Sequence, residues 1–76
     1  MNTEQLAAIT HTIEGYPVKS LKWNPLDNIL VGQVKDPVTG IPTHHDGYVV
    51  CQWRNNGKTT NKFKGRADLA LNIKAL

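Results

Sequence analysis

The sequence predicts an α+β fold: an N-terminal helix packed on a small curled antiparallel sheet of four to five strands, SH3-like or open-barrel in style. Three observations carry that expectation. A capped apolar stripe opens the chain. Several β-prone runs follow, each bounded by turn residues. Asn55-Asn56-Gly57-Lys58 stands between two of those runs, and Asn-Gly so placed is the strongest short-range hairpin signal.

The helix is expected over residues 3–14. Asn2 stands at the cap with Gln5 at the matching capping-box position. Leu6, Ile9 and Ile13 fall on one narrow stripe, and Glu4 lies in the first turn, where the helix dipole favours it. Gly15 followed by Pro17 reads as the stop. Thr10, Thr12 and Ile13 weaken helix propensity, so the helix needs the sheet beneath it.

Val18 to Trp23 reads as the first strand, Asn24 to Asn28 as a turn, and Ile29 to Lys35 as the second strand. Apolar residues on both parities of the second strand predict burial on both faces. Gly32 within it predicts a bulge or bend. Asp36 to Gly47 is a long connection opened by turn chemistry at Asp36-Pro37. Tyr48 to Trp53 and Thr59 to Lys64 read as the two arms of a hairpin. In the tail, Ala67, Leu69, Leu71, Ile73 and Ala75 alternate, which favours a strand over the helical stripe that Leu69, Ile73 and Leu76 also fit.

The chain of 76 residues is expected to form one small domain with a thin core, since a chain this short buries only about 60–65% of its unfolded surface. Cys51 is the only cysteine, so no internal disulfide forms, as in a reducing cytoplasm. Met1 to Thr10 lacks the basic and apolar regions of a secretory leader, and no apolar run reaches membrane-spanning length. A cytoplasmic protein with no membrane partner is expected.

Net charge is +3 but unevenly placed. Residues 1–50 carry Lys19, Lys22 and Lys35 against Glu4, Glu14, Asp27, Asp36 and Asp46, a balance of −2. Residues 51–76 carry Arg54, Lys58, Lys62, Lys64, Arg66 and Lys74 against Asp68, a balance of +5. Such asymmetry points to an anionic partner for the basic half, or to solubility alone.

A two-residue loop at Asn56-Gly57 would set Arg54 opposite Thr59, Trp53 opposite Thr60 and Cys51 opposite Lys62. One face then collects Trp53 with Lys62 and Lys64, with Lys58 diagonal to the ring. Basic residues around an aromatic suit single-stranded nucleic acid, with Arg54, Lys58, Lys62, Lys64 and Arg66 on phosphates and Trp53 stacking on a base. The competing reading makes Trp53 core, with lysine stems passing over it.

His44-His45-Asp46 is a weaker candidate binding loop, because adjacent histidines point apart in extended chain. No metal or cofactor is expected: one cysteine supports no zinc-finger spacing, and the dispersed glycines form no phosphate loop. Cys51 follows Val49-Val50 inside a strand, where cysteines are usually packing, so no catalytic residue is assigned and no enzyme is expected.

Gly15-Tyr16-Pro17-Val18, Leu30-Val31-Gly32-Gln33-Val34, Trp53-Arg54-Asn55-Asn56-Gly57-Lys58 and Arg66-Ala67-Asp68-Leu69 together have a recognisable cadence. It resembles a broad group of small phage and prophage proteins that share no agreed catalytic or binding motif. The resemblance implies an accessory role in the cytoplasm of an infected bacterium, such as inhibiting a host factor or countering a defence system.

The first expectation is therefore a non-enzymatic protein that binds a host or viral protein, with Trp23, Trp53 and Tyr48 as candidate anchors. The rival is a nucleic-acid-binding module on the basic hairpin. A third reading is a small-ligand sponge with Thr39 to Gly47 as a lid. A homo-oligomer is compatible with all three.

Overall fold

Residues 2–40, 46–60 and 66–73 are described by the computed structural model. They form a small α+β arrangement: helix α1 (Thr3–Ala7), strands β1 (Val18–Asn24), β2 (Ile29–Lys35) and β3 (Tyr48–Arg54), and a 3₁₀ turn at Ala67–Leu69. The strands make one antiparallel sheet in the order β1-β2-β3. The described residues show three strands of the expected four to five; most of the expected fourth, Thr59 to Lys64, lies outside them.

The capping box is present. Asn2 accepts from the Gln5 N–H at 2.8 Å, and the Gln5 side chain accepts from the Asn2 N–H at 2.9 Å. The helix itself ends seven residues earlier than expected, at Ala7. Beyond it the chain finds better partners than the next helical turn. His11 bridges to Pro17, the Val18 N–H donates to the Thr10 carbonyl at 2.9 Å, and the Thr12 N–H donates to Tyr16 at 2.8 Å. Thr12 is buried, and its hydroxyl accepts from the Tyr16 N–H at 3.0 Å. Ile13, expected on the buried stripe, is instead 62% exposed, while Leu6 is buried and Ile9 packs on the core. Thr10 and Thr12 lie outside the helix, as their side-chain branching favours, and Ile13 lies in the turn that follows. Gly15 serves the Thr12–Gly15 turn rather than a helix stop.

In β1 the ladder slips. Lys19 pairs with Gln33 and Lys22 with Val31, so Ser20 and Leu21 together oppose Gly32. Ser20 takes a left-handed φ of 59°, the mark of the bulge. The bulge therefore lies across from Gly32, not at it. The missing side chain of Gly32 makes room instead: a Cβ there would come within 2.7 Å of Leu21 Cδ2 and 3.3 Å of Trp53 Cζ3.

The β2 burial pattern alternates strictly. Leu30, Gly32 and Val34 are buried while Ile29, Val31 and Gln33 are half-buried, so one face is covered, where both were expected to be. The core face holds Val18, Leu30, Val34, Cys51 and Trp53, closed by Leu6 from the N-terminal side and by Leu69 and Leu71 from the C-terminal side.

The described tail residues, 66–73, add no strand. Leu69 and Leu71 are buried in alternation, as the sequence pattern predicts, but from a 3₁₀ turn followed by irregular chain. The Leu71 N–H is bound by the Gly57 carbonyl at 2.8 Å. Gly57 takes φ +88°, and any side chain there would strike the Leu71 carbonyl.

Candidate functional site: the open face of the sheet

The register fixes what the other face of the sheet presents. Lys35 and Tyr48 form one row, followed by Lys19, Gln33 and Val50, then Lys22, Val31 and Gln52, then Asn24, Ile29 and Arg54. Lys19, Lys22, Lys35 and Arg54 are exposed, and no strand position on this face carries a carboxylate. Val50 is 56% exposed and lies diagonal to half-buried Val31, itself two residues from half-buried Ile29 on the same face. An apolar diagonal thus runs between cations on both sides. The face is two strand spacings wide, about 10 Å, and about 20 Å long from Lys35 to Ile29.

The acidic residues lie off the strands, with Asp27 and Asp46 at the rims of clefts that Arg54 and Lys35 also line. Asp36 and Asp68 are tied to Arg66, and Glu4 lies on α1. Asp27 stands beyond the end of β1, where its Oδ2 accepts from Asn24 Nδ2 at 3.0 Å. Lys19 Nζ lies 4.0 Å from the centroid of the Tyr48 ring, so that ring holds a cation in the manner of a cation–π pair. At the Arg54 corner the face dips into a cleft of 380 Å³ lined by Asp27, Asn28, Gln52, Arg54 and Thr60. The Thr60 hydroxyl is buried and has no hydrogen-bond partner among the described residues.

The hairpin differs from the expected one by a residue. The Gly57 N–H donates to the Arg54 carbonyl at 2.9 Å, and the Arg54 N–H donates to the Lys58 carbonyl at 2.8 Å. The loop is therefore Asn55-Asn56-Gly57, and only Gly57 of the three has a positive φ. This is a type I turn closed by a left-handed glycine, not a two-residue primed turn. Thr59 then bridges to Trp53, and the Thr60 N–H reaches the Gln52 carbonyl at 3.2 Å. A one-residue shift exchanges the faces of the second arm, so Thr59, not Thr60, lies opposite Trp53.

The candidate residues separate accordingly. Trp53 is fully buried and its Nε1 donates to the Leu69 carbonyl at 2.7 Å. It offers no ring face to a base; the core reading holds. Arg66 donates to both carboxylate oxygens of Asp36, at 2.9 and 3.0 Å, and to Asp68 at 3.0 and 3.1 Å, so its charge is spent inside the fold. Asp36 also accepts from the Val38 N–H at 2.9 Å and from the Thr39 hydroxyl. Burial pushes the Asp36 carboxyl up, but Arg66, Thr39 and Val38 outweigh it and hold the group well below the usual carboxylate range. Arg54 and Lys58 are exposed. Asp46 is exposed, with a left-handed φ of 60°, and lines a 330 Å³ cleft with Tyr16, Pro17 and Lys35. Lys62, Lys64, His44 and His45 lie outside the described residues. Among the anchors, Trp23 is half-buried against the core beside a groove of 670 Å³ between α1 and β1.

Lys19, Lys22, Lys35 and Val50 were not assigned a role from sequence. Counting charge by halves hid them, because the carboxylates of residues 1–50 mask them in the sum while none of those carboxylates sits on their face of the strands.

Cys51 is fully buried, and burial pushes its thiol up to about 11. At neutral pH it is a protonated packing group, not a nucleophile. A thiol-reactive dye is expected to leave the native protein unlabelled and to modify it fully in urea. Rapid stoichiometric labelling of the native protein would contradict this placement.

No helix among the described residues is long and apolar enough to cross a membrane. No protein-family model, curated protein or solved structure matches the chain. Among the described residues its class is set by geometry: a small α+β arrangement whose sheet of three strands has one covered face and one cationic face that no described element covers.

Proposed function

We propose that this chain is a binding protein without a catalytic step, and that it docks on another protein through the open face of its sheet. The observation that supports the reading is the exposed Val50 and its apolar neighbours framed by Lys19, Lys22, Lys35 and Arg54. A sheet face ordinarily buries apolar side chains against a second layer, and no described element covers this one. A phage-type accessory role in the bacterial cytoplasm, in which occupying a host or defence factor inhibits it, is the setting the sequence resemblance suggests. Self-association through this face is disfavoured, since it would bring two sets of four cations together. The β1 edge is a poorer dock than the face, because the Ser20 bulge and flanking lysines blunt strand addition.

The test compares affinity capture from bacterial lysate by the wild type and by a Lys22→Glu/Lys35→Glu/Val50→Glu variant. All three side chains point outward, and surface changes of this kind cost only about 0.5 kcal/mol each, so the variant is expected to remain folded by circular dichroism. The specific partner is expected to be lost. Equal recovery by both proteins would move the site off this face.

A further inference from the structure

We infer that the occupant of the open face is an acidic amphipathic helix of a partner protein, about four turns long. This rests on the reading of the face as a docking surface and adds the partner's chemistry. Three features of the face select that occupant.

The first is size. A face about 10 Å wide matches one helix, whose diameter with side chains is about 10–12 Å, and a length of about 20 Å spans about 14 helical residues. A globular interface of ordinary size contributes about 800 Å² per partner, well beyond what four short rows of side chains supply. The second is charge. Lys19 and Lys22 stand on one side of the apolar diagonal and Arg54 on the other, with Lys35 at its head. A helix with an apolar stripe flanked by glutamates meets Val50, Val31 and Ile29 with the stripe and the cations with its flanks. The third is what the face lacks for nucleic acid. Trp53 is buried and the Tyr48 ring carries the Lys19 ammonium, so neither of these two aromatic side chains presents a free ring for base stacking. The helix also supplies a second layer where no described element does, the usual way a one-sided sheet is completed.

The experiment is an amide chemical-shift titration of the full chain with three probes. One is a synthetic peptide of about 16 residues with leucine at helical spacing and glutamate flanks. The second is the same peptide broken by central proline, and the third is oligo-dT. The intact acidic peptide is expected to shift amides of Lys19, Lys22, Val31, Gln33, Val50 and Arg54, with binding several-fold weaker at about 200 mM than at about 50 mM salt. Val50→Glu/Lys22→Glu is expected to abolish those shifts. Equal binding of the proline peptide would overturn the helical form of the occupant. Shifts of the same amides by oligo-dT and not by the peptide would overturn the partner class while leaving the face as the dock. No shift at these residues with any probe would overturn both.

Discussion

Trp53→Ala is expected to remove most of the folded population at room temperature. The ring is fully buried at the centre of the core face, opposite Leu30 and beside Gly32. Truncating a buried Trp typically costs about 3–5 kcal/mol. The variant also strands the Leu69 carbonyl, which now accepts the indole N–H at 2.7 Å, and an unpaired buried acceptor costs about a further 1–3 kcal/mol. A domain of this length has a total stability of only about 4–11 kcal/mol. Trp53→Phe separates the two terms, since it keeps most of the apolar ring and loses only the hydrogen bond. Urea denaturation should therefore rank the wild type above Trp53→Phe and that variant above Trp53→Ala. A Trp53→Ala midpoint near that of the wild type would show that the ring is not core.

The second large effect belongs to Arg66. Its removal leaves Asp36, whose side chain has no exposed surface, as an uncompensated buried charge. Breaking such a pair from one side costs about 3–5 kcal/mol, whereas replacing both partners with apolar groups costs far less. Arg66→Ala is therefore expected to be strongly destabilising, and Arg66→Met/Asp36→Leu less than additive. The pH dependence follows from the depressed Asp36 carboxyl. Its folded value lies below its unfolded one, so the unfolded chain binds the extra proton. The stability this provides is fully present above the unfolded value of about 3.9 and is lost as pH falls below it toward the folded value. Chemical denaturation across that acid range should show stability declining in the wild type. Asp36→Asn should lack that share of the slope. The same slope in both proteins would assign it to other carboxylates.

The helix cap, the turn at Asn24 to Asn28, the three strands and the buried alternation of Leu69 and Leu71 were legible in the sequence because each depends on neighbours a few residues away. The Asn24 carbonyl side chain, for instance, accepts from the Leu26 N–H at 3.0 Å, a bond that local chemistry alone predicts. What was not legible depends on distant partners. Helix propensity could not show that Thr12 and Ile13 would bond Tyr16 and Ala70 instead of their own turn. Alternation places Lys19 with Leu21, and only the left-handed Ser20 rephases the strand so that Lys19 and Lys22 share a face. Arg66 looked like a free cation until Asp36, thirty residues earlier, came to meet it.

The sheet is also closed late. Its cover, Leu69 and Leu71, is made after Trp53, and the Leu71 amide has no anchor until the Gly57 loop has formed. On a translating ribosome, at about 5–20 residues per second, the three strands exist for one to a few seconds before the residues that seal them are added. During that interval Leu30, Val34 and Trp53 form an apolar surface open to chaperones. A nascent chain stalled just short of Leu69 would have its core face covered only from the Leu6 side, and would be sticky on the side that the finished protein hides.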